Sequence, residues 1–156
     1  MDVYARLKEL NLELPVPPPP GGLYKPVRQV GDSLYVSGQG CTKQGIPCFS
    51  GKVGAERTVE EGQEAARICV MNALSVLDRY LGDLNRIQCL VKTLGFVASA
   101  EGFQMQPKVI DGASRLLADI WGEEDGVGAR SAISAPELPG GITVEIEFIF
   151  QLKPEA

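Results

Sequence analysis

ITVEIEFIFQL, residues 142–152, changes character at every step: Ile142, Val144, Ile146, Phe148, Phe150 and Leu152 fall on one face of an extended chain, with Thr143, Glu145, Glu147, Ile149 and Gln151 on the other. A period of two built from β-branched and aromatic residues describes a strand with one buried face. Immediately before it, PELPGG at residues 136–141 is a turn, and ARSAISA at 129–135 is a further strand.

The buried face needs partners, and two helical stripes supply them. Thr58 and Glu61 have the spacing of a capping box, and Ala65, Cys69, Ala73, Val76, Leu77 and Tyr80 recur on one face, so a helix is expected over residues 59–81, closed by Gly82-Asp83. A second helix opens at Gln106-Pro107, carries Val109, Ile110, Ala113, Leu116, Leu117, Ile120 and Trp121 on one face, and gives way to an acidic, glycine-containing loop at residues 122–128. Between the helices, residues 86–98 read as a long strand. Residues 24–30 and 33–38 read as a hairpin turning at Gly31-Asp32.

The order ββ-α-β-α-ββ is that of an α+β domain with two long helices on one face of a mixed sheet. The opposite face, carrying Glu145, Glu147 and Ile149, must then meet water or another subunit. Ahead of this body (residues 23–156), residues 3–14 form an amphipathic helix with Val3, Leu7, Leu10 and Leu14 on one side, and PVPPPPGG at 15–22 is a stiff extended connector. The connector reading is preferred over a ligand for a proline-reading module.

Composition removes whole classes of chemistry. The 156 residues contain no histidine, which excludes Ser-His-Asp and Cys-His nucleophiles, histidine-ligated zinc and the paired histidines of many ribonucleases. A net charge of −5 without a basic cluster argues against nucleic acid as a partner. With no apolar run of membrane-spanning length and a charged, amphipathic start unlike a signal peptide, the expected location is the cytoplasm. The four cysteines show no CxxC spacing; Cys69 and Cys89 read as small core residues, while Cys41 and Cys48 flank a glycine-containing loop that leaves room for exposure.

If the six residues 136–141 join antiparallel strands, Arg130 lies opposite a residue near Glu145 or Glu147, on the same sheet face as both. The bland outcome is a cross-strand ion pair worth a few tenths of a kcal/mol. The chemical one is a guanidinium fork that grips a carboxylate beside a glutamate able to orient water.

GARSAISAPELPGGITVEIEFIF (128–150), with LYVSGQ (34–39), TVEEGQEAARICVMNALSVL (58–77) and LGFVASAEGFQMQPKVIDGAS (94–114), resembles the RidA/YjgF family of reactive-intermediate deaminases, in the branch labelled endoribonuclease L-PSP or chorismate-mutase-like. The resemblance runs from about Tyr24 to the C-terminus. It implies a chorismate-mutase-like fold, a homotrimer with a central barrel, and three pockets in the clefts between subunits. The activity it implies is hydrolysis of enamines and 2-imino acids to 2-keto acids and ammonia without metal or cofactor.

Position by position, Arg130 matches the arginine that clamps the substrate carboxylate, and Glu145 the glutamate that positions water. Tyr24, the Gly38 backbone amide and Phe103 match substrate-contacting positions. Where well-characterised deaminases carry a ligand-binding asparagine this chain has Pro107, with Gln106 as the available substitute; Ala132 replaces a cysteine found in several relatives. Three functions follow: an imine hydrolase, a non-catalytic trimer binding small carboxylates or keto acids, and, least compatible with the charge and the missing histidines, an endoribonuclease.

Overall fold

The computed structural model describes residues 1–155. Helix α1 (Val3–Glu9) is followed by strands β1 (Val27–Val30) and β2 (Ser33–Gly40), a small hairpin β3 (Thr42–Lys43) and β4 (Ile46–Pro47), helix α2 (Val59–Leu81), β5 (Ile87–Ala98), helix α3 (Gln106–Gly126), β6 (Ala129–Ala135) and β7 (Val144–Leu152). Short 3₁₀ turns at Leu84–Arg86 and Pro139–Gly141 complete the chain.

Local chemistry sets the helix ends. The Thr58 hydroxyl accepts from the Glu61 N–H at 3.1 Å while the Glu61 carboxylate accepts from the Thr58 N–H at 3.1 Å, so the capping box is formed and α2 begins where expected. Gly82, in the left-handed conformation, ends it. Helix α3 starts with Pro107 in its first turn and breaks at Gly122, whose φ of 83° is not helical; residues 123–126 form one more turn where the sequence pattern suggested a loop. Helix α1 stops at Glu9 rather than Leu14, because Leu12 N–H turns back to the Leu7 carbonyl and Asn11 takes a positive φ.

Five strands form the main sheet in the order β1-β2-β7-β5-β6, with β6 parallel to β5 and the other neighbours antiparallel. Both long helices lie on one face. Leu34, Ile146, Phe148 and Phe150 from the sheet are buried with Leu74, Leu77, Leu116, Leu117 and Ile120 from α2 and α3. The helices themselves touch at glycine: a Cβ on Gly112 would strike the Gln63 backbone, 2.7 Å from its Cα. By register, the other face presents Tyr35, Leu94, Phe96, Ile133 and Ile149 around Glu145 and Glu147, and Tyr35 and Ile133 are exposed.

One expectation is overturned. Residues 136–141 do not turn a hairpin, because β7 is inserted between β2 and β5, and β6 is an edge strand on the far side of β5. Arg130 pairs with Thr93, which in turn faces Phe148, so the arginine lies on the helix face of the sheet and two strands from β7. Its side chain meets α3, not Glu145 or Glu147.

The cysteines also divide differently from the expected pairs. Cys41 and Cys69 are buried, Cys89 is half-buried and Cys48 is exposed. Cys41 is drawn in because it follows β2 into the core, where its thiol reaches the Phe49 carbonyl at 3.4 Å.

Candidate functional site

The site grows from an irregularity in β2. Val36 pairs with Phe148 but Gln39 pairs with Ile146, so three steps on β2 match two on β7 and a bulge falls at Ser37-Gly38. The extra residue twists the strand and brings Gly38 under the side chain of Glu145. A Cβ on Gly38 would stand 2.9 Å from Glu145 Oε2 and 3.0 Å from its Cδ. Only a residue without a side chain leaves the carboxylate where it lies.

Glu145 is half-buried, and that burial, with the neighbouring charge of Glu147 as a smaller cause, raises its carboxyl above the ordinary range. It opens into a cavity of about 360 Å³ whose lining includes Tyr24, Gly38, Gly140, Ile142 and the prolines 18–20. Tyr24, exposed and just ahead of β1, accepts the Gly21 N–H on its hydroxyl at 2.9 Å. Glu147 stands at the outer rim beside Ser37 and Pro139.

Arg130 sits elsewhere on the same chain. Its Nη1 donates to Asp111 Oδ1 at 2.7 Å and to Ser114 Oγ at 3.2 Å, both on α3. Those bonds use one end of the guanidinium. Among the described residues no hydrogen bond or ion pair uses the Nε and Nη2 edge, one complete fork for a planar anion. Between Arg130 and Glu145 lie two strand spacings, ~10 Å, and a further offset of three residues along the sheet, ~10 Å.

Phe103 and Gln106 fall outside the cavity. Phe103 packs in the loop between β5 and α3, its ring against Gly54. Gln106 is buried, and its amide donates to the Phe103 carbonyl at 2.8 Å and to Ser99 Oγ at 3.3 Å, holding the start of α3. One chain thus brings Tyr24, Gly38 and Glu145 together and leaves Arg130, Phe103 and Gln106 apart from them. The proline stretch, read from sequence as a stiff connector with room to cover a cleft or a subunit surface, is part of the cavity wall. No group of three or more metal-ligating side chains occurs among the described residues.

A bulged strand, a half-buried carboxylate and a concave cleft on a helix-backed mixed sheet define an α+β domain of chorismate-mutase-like architecture. The chain belongs to the RidA/YjgF family: the family model described as "YjgF/chorismate_mutase-like, putative endoribonuclease" matches residues 4–150, with most of α1 and the proline stretch inside the match. It is similar to protein TCP17 of Trypanosoma cruzi, 39% identical over 150 residues, covering 96% of this chain and 94% of that one. Among solved structures it resembles Atu1372 of Agrobacterium tumefaciens, a protein of unknown function (39% identity, TM-score 0.89, covering 97% of this chain and 92% of that one). It also resembles a Shewanella oneidensis protein carrying the endoribonuclease label (32% identity, TM-score 0.92, covering 97% and 100%).

Proposed function

We propose that the chain is a cofactor-free hydrolase of small 2-imino acids, working as a homotrimer in which Arg130 of one subunit completes the Glu145 cleft of the next. The observation that carries this reading is the half-buried Glu145 laid over Gly38 at the floor of an open cavity. The free guanidinium edge on β6 and the apolar sheet face around Glu145 are what a second copy would cover.

The chemistry is short. An imine carbon is already electrophilic, so holding it against an oriented water supplies much of the acceleration. Arg130 would grip the substrate carboxylate through Nε and Nη2. Glu145 would take a proton from the attacking water as the C–O bond forms and give it to the imine nitrogen, then relay the proton of the new hydroxyl to that nitrogen as the C–N bond breaks, so that ammonia leaves and the carbonyl of the 2-keto acid forms. A carboxyl held above its usual range suits both halves of that transfer.

The test generates imines with an amino-acid oxidase, traps them with semicarbazide, and follows semicarbazone yield with light scattering in parallel. Wild type lowers the yield and has trimer mass; Arg130→Ala and Glu145→Gln keep the mass and lose the effect at least ~100-fold. Full activity in either variant overturns the assignment of that residue, and a monomeric mass removes the shared cleft. Saturable keto-acid binding without hydrolysis of any imine leaves a binding module in its place.

A further inference from the structure

The cleft lining has two chemically different parts. Glu145, Gly38 and the Tyr24 hydroxyl supply polar groups to its lining, and Pro18, Pro19 and Pro20, delivered from outside the sheet by the N-terminal segment, supply an apolar wall. This wall is anchored far from the cleft. Val3 and Leu7 are buried, the Tyr4 hydroxyl donates to Asp78 Oδ1 at 2.5 Å and accepts from the Leu84 N–H at 2.8 Å, and the Pro15 carbonyl accepts the Ser75 hydroxyl at 2.5 Å. The segment ends at Gly21, whose N–H fixes the Tyr24 hydroxyl.

We infer that Pro18–Pro20 form the specificity wall of this cleft and select imino and keto acids with apolar side chains, a conclusion that rests on the cleft being the ligand site proposed above. Three properties support it. Proline carries no N–H, so this wall offers no hydrogen-bond donor to a polar side chain laid against it. Glu145 and Glu147 repel an acidic one. The cavity of about 360 Å³ has room for about twelve water-sized groups at ~30 Å³ each, roughly twice the non-hydrogen atoms of the imine derived from alanine.

The wall is also rigid. Consecutive prolines hold an extended conformation without internal hydrogen bonds, so the surface is in place before the ligand arrives and little ordering is required on binding.

Calorimetric titration of the full-length protein with pyruvate, 4-methyl-2-oxopentanoate, phenylpyruvate and 2-oxoglutarate tests this without turnover. Wild type binds the two apolar acids at least ~10-fold more tightly than pyruvate, with 2-oxoglutarate weakest. In Pro18→Ala/Pro19→Ala/Pro20→Ala that ratio falls below ~3-fold. Pro19→Ala/Pro20→Ala, at two exposed positions, keeps the fold intact and shows part of the same fall.

An unchanged ratio in both variants, or a wild-type preference for a charged side chain, overturns the wall and leaves the hydrolase reading standing. Binding of no keto acid overturns both. Wall-dependent binding with no imine hydrolysis upholds the wall and removes only the catalysis.

Discussion

Replacing Gly38 by alanine is the sharpest probe of how the cleft holds its carboxylate. The added methyl would stand 2.9 Å from Glu145 Oε2, 3.0 Å from Cδ and 3.2 Å from Cγ, against the ~3.5–4.0 Å of ordinary contact, so the side chain must retreat by roughly half an ångström or change rotamer. The three nearest atoms all belong to Glu145. Gly38 is not among the positive-φ residues, the obstructing group is the end of a flexible side chain, and alanine reduces the freedom of the unfolded chain by about 0.4–1 kcal/mol. The change in folding stability is therefore below about 1 kcal/mol, which for a chain of this size moves the melting temperature by roughly 2–4 °C at most.

Catalysis has no such tolerance. Since a 1 Å misplacement costs ~100-fold, half that displacement predicts a kcat lower by ~10-fold or more, with KM changed little because Arg130, the proposed carboxylate clamp, lies elsewhere. The trapping assay and a thermal melt on the same sample decide it. Wild-type kcat in a normally folded Gly38→Ala protein refutes the claim that this glycine sets the working position of Glu145.

Because burial raises the Glu145 carboxyl above its unfolded value, the folded state favours the protonated form. That contribution is complete below the unfolded value and is lost as pH rises through the folded one, so Glu145→Gln gains stability on wild type as pH is raised from about 4 toward neutrality. Urea midpoints at the two ends check the sign. Gly112→Ala drives a methyl into the Gln63 backbone and costs about 3 kcal/mol, a fall of roughly 6–12 °C in melting temperature; a loss under 1 kcal/mol means that α2 and α3 separate easily. Asp111→Asn removes an ion pair that is partly exposed, so its effect on stability is under ~1 kcal/mol, yet a guanidinium freed from α3 should raise KM more than it lowers kcat.

Much of the fold was legible because its signals are local. The Thr58/Glu61 box and the stripe from Ala65 to Tyr80 fix α2, and the alternation of residues 142–152 fixes the buried face of β7. Strand order is a different kind of information. That β7 enters between β2 and β5 is decided by which edges remain to be paired after the helices dock, and the shortness of the 136–141 connection points the wrong way.

The site follows the same division. Arg130 and Glu145 stand out by residue type and by resemblance, but their separation to opposite faces follows from strand order. The burial of Gln106 follows from the loop that Phe103 closes. The bulge at Ser37-Gly38 has no sequence signature beyond a glycine near a strand end, and the path of the prolines depends on where α1 finds its seat on Asn85, Asp78 and Leu84.

The late arrival of β7 shapes how the chain is made. Until residues 144–152 have been synthesised, β2 and β5 each carry an open edge, and the two halves of the sheet have nothing between them. The nascent polypeptide thus spends its last stretch of synthesis with two unpaired templates that any extended segment could join. Sealing comes in one step, from the strand that also carries Glu145, so a chain that stops before residue 144 keeps both edges open and lacks that carboxylate.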